Sequence, residues 1–314
     1  MPEISRIIQK RVSCRTYADT PVEENLRNEL ESLVAAEHTG PFGNKPQFQL
    51  INLDMSDPAK WKNLGTYGVI KNARLFLAGK VNKGNKAVED YGYCMECLIL
   101  KATALGLGTC WLAGTFSAGG FAGAVNLQKN ELLPAVSPIG YPAQRKSLTE
   151  KIFRLTAKSD RRKPWPLIFF IGNFSTPLTP QQAGKYSEAL ENVRLAPSAC
   201  NKQPWRILLD TAGNAFHFYL QRTFGYKLRG VPIQDIDMGI AMNHFEFTLR
   251  ELEINGQWII KENVPRINSL DYIVSWQEDT ENRLKRRYAK GEITTEEYKK
   301  MKKDIEEESP NVRE

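Results

Sequence analysis

Two stretches of this chain repeat one another at a fixed distance. Asp90-Tyr-Gly92-Tyr-Cys-Met95 leads into a helix-like run that ends Leu105-Gly-Leu-Gly-Thr-Cys-Trp111. A shift of 147 residues (237 minus 90) reaches Asp237-Met-Gly239-Ile-Ala-Met242, a second helix-like run, and Leu252-Glu-Ile254-Asn-Gly256-Gln-Trp258. Asp, Gly, Met, Leu and Trp recur at matching positions without a gap. One helix with a glycine at its end is commonplace, but two that share these marks at one offset point to duplicated halves. A length of 314 residues admits one large domain or two ordinary ones.

A helix, a loop and a strand precede each copy. In the first half, Thr20-Pro21 announces a helix from Val22 to about Glu37, with Leu26, Leu30, Leu33 and Val34 on one side. The loop Gly40-Pro-Phe-Gly-Asn44-Lys45-Pro46-Gln47-Phe48 and a strand from Gln49 to Leu53 follow. In the second half the helix is Tyr186 to Arg194 and the strand is Arg206 to Asp210. The loop between them is Leu195-Ala196-Pro197-Ser198-Ala199-Cys200-Asn201-Lys202-Gln203-Pro204-Trp205. Its prolines fix φ and extend the residues before them. Ser198 and Asn201 supply short donors and acceptors that can hold a turn or meet a flat heteroaromatic ligand.

Near the N-terminus, after a short amphipathic helix from Pro2 to Lys10, comes Arg11-Val12-Ser13-Cys14-Arg15-Thr16-Tyr17. Arg11, Ser13 and Arg15 alternate, so an extended chain points all three one way. Two guanidiniums and a hydroxyl on one face can grip a phosphate, and the same pattern also suits a solvated basic turn. Glycines at 106, 108 and 114 allow close backbone approach, although a plain helix cap accounts for the first two. A strand-like Val136-Ser-Pro-Ile-Gly140-Tyr-Pro142 precedes a late basic run, Asp160-Arg161-Arg162-Lys163-Pro164.

These residues together resemble the nitroreductase family, and within it the branch with two fused nitroreductase-like halves in one chain. Arg11-x-Ser13-x-Arg15-x-Tyr17 looks like the family's phosphate site, and Pro197-Ser198-x-x-Asn201-x-Gln203-Pro204-Trp205 like its flavin-contacting loop. The resemblance implies a three-layer α/β/α fold of α+β class, duplicated as an intrachain pseudo-dimer. Its halves are 1–175, on the flavin phosphate side, and 176–278, carrying the Pro-Ser-x-x-Asn loop, joined near Ser175 to Gln182. It implies FMN held by Arg11, Ser13 and Arg15, with Arg161 and Arg162 closing over the phosphate. Ala113 and Gly114 would lie at the reactive edge, and Pro197, Ser198, Ala199, Asn201 and Gln203 would reach in from the second half. The first half lacks the Pro-Ser and the second lacks the Arg-x-Ser-x-Arg, so one composite site is expected. The implied reaction passes hydride from NAD(P)H through FMN to a nitroaromatic, a quinone or a similar electron-poor small molecule by a ping-pong mechanism. No side chain need serve as nucleophile or base, and no metal is implied. A flavin carrier or sensor, or a non-catalytic scaffold, are the alternatives.

Residues 279–314 differ in kind. Gly291 breaks the segment, and Thr294 with Glu297 forms a capping box, so it reads as a helical hairpin that resembles the short C-terminal modules called SHOCT. Its few apolar residues are too few for a core of their own, so it is expected to pack on the body or on another chain, with a disordered charged tail as the alternative. No apolar run reaches the length of a membrane span, and Met-Pro-Glu-Ile-Ser-Arg lacks a secretion-signal pattern, so a cytoplasmic protein is expected. Five cysteines without framework spacing argue against a disulfide scaffold, and Cys94-x-x-Cys97 reads better as core than as a redox pair or half a metal site. The net charge of +7 is spread along the chain with no basic, aromatic stripe, so nucleic acid is not an expected partner. His38, His217 and His244 have no evident partners in the sequence, and packing or surface roles are expected of them. A site complete within one chain implies a monomer.

Overall fold

The computed structural model describes residues 3–53, 65–145, 147, 161–212 and 214–308. Pro2, Asp160 and the last residues of the C-terminal segment, 309–314, lie outside them. The chain begins with helices α1 (Glu3–Lys10) and α2 (Glu24–Ala35), strands β1 (Gln47–Asn52) and β2 (Leu75–Asn82), and the long helix α3 (Ala87–Ala104). Then come β3 (Gly108–Thr109), the short helix α4 (Ala118–Ala124), β4 (Glu131–Leu132) and β5 (Val136–Gly140). The second part holds β6 (Phe169–Ile171), β7 (Asn173–Pro177), the one-turn helix α5 (Pro180–Ala183), α6 (Ser187–Leu195), β8 (Trp205–Leu209) and β9 (Ala215–Leu220). It continues with β10 (Lys227–Leu228), β11 (Val231–Pro232), the long helix α7 (Ile233–Glu251), β12 (Gly256–Ile259) and β13 (Asp271–Glu278), and ends in α8 (Thr280–Ala289) and α9 (Thr295–Glu308).

The protein is a mixed α+β, three-layer α/β/α structure, and β2 shows why. Its residues alternate between two apolar surroundings, as the two-residue period of a strand requires. Leu75 and Leu77 face the cluster that includes Met95 and Ile99 of α3. Phe76 and Ala78 face the opposite cluster, where the Phe76 and Phe121 rings lie 5.4 Å apart edge to face. In the second sheet Phe216 and Phe218 of β9 meet Phe245 of α7 at centroid distances of 5.0 and 5.4 Å.

The sheets share a strand order. The first runs β1-β2-β5-β3, with β4 pairing β2; the second runs β12-β13-β9-β8 and continues into β6 and β7. Read from the strand after each loop, both follow the same antiparallel path. β6 pairs in parallel with β8, Phe169 opposite Ile207, so residues 169–177 belong to the second sheet. They cover an edge of β8 that would otherwise expose unpaired backbone groups. The Ser175 to Gln182 segment, expected to be an irregular connection, thus contributes to edge strand β7 and to α5. A capping box between Thr179 and Gln182 starts that helix.

Helices α3 and α7 pack against each other between the sheets, and their crossing is reciprocal. A Cβ on Gly92 would run into the carbonyl oxygen of Ile236, and one on Gly239 into that of Glu89. Ile236 and Glu89 are themselves 147 apart, so each glycine receives the same backbone position of the other helix, as in an isologous contact. Only residues without a side chain let the backbones come this close. Each central helix also holds a loop that precedes it in the chain. Asp90 accepts from the backbone N–H groups of Phe42 and Asn44, both at 2.9 Å, and Asp237 from that of Ala199, also 2.9 Å.

In the C-terminal hairpin the expected capping box is present, Thr294 N–H to Glu297 at 2.8 Å and Glu297 N–H to Thr294 Oγ1 at 3.2 Å. The Tyr288 and Tyr298 rings stack at 4.7 Å, and Leu284 and Ile293 are buried. None of the helices among the described residues is long and apolar enough to cross a membrane.

Candidate functional site

The Arg11–Tyr17 segment lies extended along the end of the first sheet. Cys14 N–H donates to Thr109 at 2.8 Å, Ser13 bridges Thr109 in parallel, and Lys71 N–H donates to the Arg15 carbonyl at 2.8 Å. Arg11 is buried, Ser13 and Arg15 are half-buried, and a small hollow of about 160 Å³ opens beside Arg11, Ser13 and Gly108. That volume lies below the roughly 300 Å³ at which whole-ligand pockets begin, and suits a single group of a larger molecule. Burial pushes the Arg11 guanidinium below its ordinary range, and the nearby Glu96 offsets part of that. The Arg11 Nε has no hydrogen bond among the described residues.

Glu96 anchors more than Arg11. Its Oε2 accepts from Trp111 Nε1 at 2.7 Å, and its Oε1 lies 2.9 Å from His244 Nε2. His244 Nδ1 lies 2.9 Å from the Asn192 carbonyl, which can only accept, so Nδ1 carries a hydrogen. Both ring nitrogens therefore face oxygen atoms of the protein. The expectation that the histidines lack partners is corrected here: His244 is fully buried in this network, and His217 lies 2.7 Å from Ser275 Oγ. The partners come from positions far away in sequence, which is why reading along the chain missed them.

The loop after α6 is bent by backbone geometry rare outside glycine. Cys200, Asn201 and Gln203 have φ of 48°, 55° and 47°. Each such residue costs about 1 kcal/mol, so the surroundings must hold the loop in place. Ser198 Oγ accepts from Gln203 N–H at 2.8 Å, and Asp237 holds Ala199. Arg162 donates to Asn201 Oδ1 at 2.9 Å and to the Leu195 carbonyl at 3.1 Å. Asn201 Nδ2 donates to the Arg161 carbonyl at 2.7 Å, and Lys163 N–H donates to Gln203 Oε1 at 2.7 Å. The structure thus brings Arg161, Arg162, Ser198, Asn201 and Gln203 together. The side chains of Asn201 and Gln203, expected to face a cofactor, here hold the 161–163 segment. Pro197 is half-buried at the start of the bend.

The second carboxylate oxygen of Asp237 differs from the first. This atom, Oδ2, is buried without a hydrogen bond among the described residues, and burial raises the Asp237 carboxyl well above the ordinary range. Under the same loop, Lys163 donates to the Gln203 carbonyl at 3.2 Å, and Arg206 donates to that oxygen at 3.1 Å and to Gln221. Burial pushes the Lys163 amine down to about 8, with Arg206 and Lys202 adding to the push. The sign of the consequence is definite. Between pH 8 and 10.5 the unfolded chain still holds the proton that the folded chain has released, so stability rises with pH across that window. Below pH 8 both states hold it and the penalty is fully present. Urea melts of the parent and of Lys163→Met should therefore diverge in the parent's favour from pH 8 to 10.5. A difference that stays flat over that range would show that Lys163 titrates normally.

The Ala113–Gly114 turn is covered by residues 228 and 229. Arg229 Nη2 donates to the Ala113 carbonyl at 2.8 Å, and its guanidinium sits 4.6 Å from the centre of the buried Phe116 ring. Leu228 Cδ2 lies 3.0 Å from where a Cβ on Gly114 would be. Lys202, in the bent loop, stands 5.8 Å from the Tyr226 ring centre. The expected site residues fall into two groups that a chain of intermediate neighbours connects. The Arg11–Arg15 segment runs beside Thr109, four residues before the turn, and residues 226–229 bridge that turn to the loop at 198–203. Sequence reading missed Arg206, Leu228 and Arg229, and gave Lys163 no role of its own in the basic run. For Leu228 and Arg229 the signal available was the unequal length of the two strand-to-helix connections.

The two cysteines of Cys94-x-x-Cys97 sit in α3 as free thiols, and burial raises both, Cys94 to about 12. A thiol in that state is a poor nucleophile at neutral pH.

A family model described as "Putative TM nitroreductase" matches residues 3–249, and one described as "Short C-terminal domain" matches residues 279–306. Among solved structures, one described as a putative nitroreductase from Thermotoga maritima is 20% identical. The alignment covers 87% of this chain and 93% of that one, with a TM-score of 0.55. A nitroreductase family protein from Clostridium difficile is 18% identical over 48% of this chain and 90% of its own, with a TM-score of 0.37. A further structure, from Desulfovibrio desulfuricans and described as a putative nitroreductase in complex with FMN, is 23% identical over 48% of this chain and 95% of its own, also at 0.37. None of the curated proteins matches. The Thermotoga likeness, at its low identity, bears on the fold, while the family match takes in both central helices and the loops they hold. With residues 3–249 of 314 matched, the chain belongs to the nitroreductase family that this model describes, and it carries a SHOCT domain at its C-terminal end.

Proposed function

We propose that this protein is an FMN-dependent oxidoreductase that uses NAD(P)H to reduce an electron-poor small molecule, with one composite flavin site inside an intrachain pseudo-dimer. The halves would be 1–175 and 176–278, the strands at 169–177 crossing to the second sheet, with 279–314 as the appended hairpin. The reciprocal glycine contact, the shared strand order and the paired Asp90 and Asp237 loop anchors support the duplication.

The observation that carries the flavin reading is Arg11. A buried guanidinium whose Nε lacks an acceptor, beside Ser13 and a hollow of about 160 Å³, fits a phosphate group, which offers several acceptor oxygens. Arg11, Ser13, Arg15 and Arg162 would hold that phosphate, with Arg161 beside them. Asn201 and Gln203 keep the 161–163 segment in register, and Ser198 and Ala199 are fixed so that the bent loop presents its edge to the cofactor. The backbone at Ala113 and Gly114 would face the reacting edge, where N–H groups and positive charge favour a reduced, anionic ring. When bound, FMN would accept two electrons and a proton from NAD(P)H and deliver them to a nitro compound or quinone in a second step. The residues bind, orient and exclude water, and none need form a covalent bond.

The test is the absorbance spectrum of purified protein, with flavin released by denaturation and counted per chain. About one FMN per chain is expected, and both Arg11→Ala and Asn201→Ala should lower that content at least about tenfold, through lost charge-assisted bonds in the first and a released loop in the second. If both variants keep the parent's flavin content, the composite site is wrong.

A further inference from the structure

The two halves differ in the connection that leads from the second strand into the central helix. In the first half it spans residues 83–86, between β2 and α3; in the second it spans 221–232, between β9 and α7. The added length is folded. β10 and β11 pair with Lys227 opposite Pro232 and Leu228 opposite Val231, and the turn between them is Arg229-Gly230, with φ of 49° and 81°. A two-residue hairpin turn of this kind needs positive φ at both positions. Its base is tied to α7: Thr223 N–H donates to the buried Gln234 at 2.7 Å, and Ile233 N–H donates to the Tyr226 carbonyl at 2.9 Å. Arg222 at the base is neutralised by Asp235 and Asp271.

The tip is not neutralised. Arg229 spends one of its five N–H groups on the Ala113 carbonyl and rests on Phe116. It has no carboxylate partner among the described residues, and neither Lys227 nor Lys202 has one. Phe224, in the same connection, is fully exposed. The hairpin thus sets a planar cation, without a carboxylate partner among the described residues, over the turn assigned to the reacting edge, with apolar groups beside it. The Ala113 bond and the Phe116 ring beneath hold the guanidinium at this position, and its remaining N–H groups offer the planar fork that matches a carboxylate.

Resting on the flavin reading above, we propose that the 221–232 hairpin is the selectivity element of the site, and that Arg229 recognises a carboxylate on an aromatic electron acceptor. A neutral carboxamide of the same shape can accept a single hydrogen bond from that fork, whereas a carboxylate gains a bidentate, charge-assisted pair.

The experiment compares 4-nitrobenzoate with the neutral 4-nitrobenzamide as acceptors for the full, FMN-loaded chain under saturating NAD(P)H. The parent should favour the carboxylate in kcat/KM. Arg229→Gln should cut the benzoate-to-benzamide ratio about tenfold, the effect of one charge-assisted pair. Arg229→Lys, which keeps the charge and loses the fork, should fall between them. An unchanged ratio in Arg229→Gln overturns the proposal. So does a rise in the KM for NADPH with the acceptor ratio intact, since the anion read would then be the nicotinamide cofactor's phosphate. A chain that takes up no FMN overturns the flavin reading, and titration calorimetry of that chain with 4-nitrobenzoate still decides the hairpin. Binding that Arg229→Gln abolishes supports it, and binding that is absent or unaffected by the substitution overturns it.

Discussion

Gly239→Ala should destabilise the protein by about 3 kcal/mol or more, the largest effect expected of adding one methyl group to this chain. At Gly239 the new Cβ meets the carbonyl oxygen of Glu89 and stands 2.7 Å from the Tyr93 amide nitrogen, both backbone atoms of α3. A flexible side chain can swing aside from a methyl group, but two helices packed between two sheets can relieve the clash only by moving apart. Separation would open the contact between α3 and α7 and strain the Asp237 and Asp90 loop anchors with it. Gly92→Ala, which meets Ile236 in the same way, should cost a similar amount. Gly119→Ala is the control. It lies in α4 with nothing within 4 Å of the added atom, so it should be neutral or stabilise by up to about 1 kcal/mol. Urea denaturation at a constant m-value measures all three. If Gly239→Ala unfolds at the parent's midpoint, the close crossing of the two helices is wrong.

The second large effect is expected at Glu96. Alanine there leaves the buried His244 and the Trp111 N–H without their acceptor and takes the nearby negative charge from the buried Arg11 cation, and each buried polar group left unsatisfied costs about 1–3 kcal/mol. Glutamine should cost much less. Its Oε1 can accept from Trp111 and its Nε2 can donate to a His244 that is neutral, with the hydrogen on Nδ1 still given to Asn192. What glutamine cannot supply is negative charge for Arg11. The difference between Glu96→Gln and the parent therefore reports on Arg11, and that between Glu96→Ala and Glu96→Gln on the hydrogen bonds. Thermal unfolding of the three proteins separates the contributions. Equal losses in both variants would mean that charge, not hydrogen bonding, dominates the network.

Much of the framework could be read along the chain. The helices and the strands that follow the two loops lie within a few residues of the expected positions, because apolar periodicity and proline or glycine punctuation are local signals. The 147-residue echo singled out the two helices that meet at the centre. The box of Thr294 and Glu297 marked the start of α9, since its bonds close within one turn. For the candidate site, the sequence identified Arg11, Ser13 and Arg15 at one end and the 197–203 loop at the other. The comparison of a retained motif in one half with its loss in the other also made a single composite site the natural expectation.

Relations between distant segments were a different matter. Nothing local says that β6 and β7 join the second sheet, because the edge they cover is made by β8, which comes later in the chain. Gly92 and Gly239 could be seen to correspond, but the reason neither can carry a side chain appears only when Ile236 and Glu89 face them. His244 looked partnerless until folding brought it to Glu96, 148 residues away, and Arg229, which drew no reading from the sequence, is set on Ala113 by the hairpin. The sequence by itself determined the elements, the duplication signal and the chemical types available to a phosphate and a flat ring. Tertiary structure alone decided which charges are buried, which are paired and which residues cover the turn. The physical reason is range: backbone preference and periodicity act over a few residues, whereas burial and charge pairing depend on segments that meet only after the chain has folded.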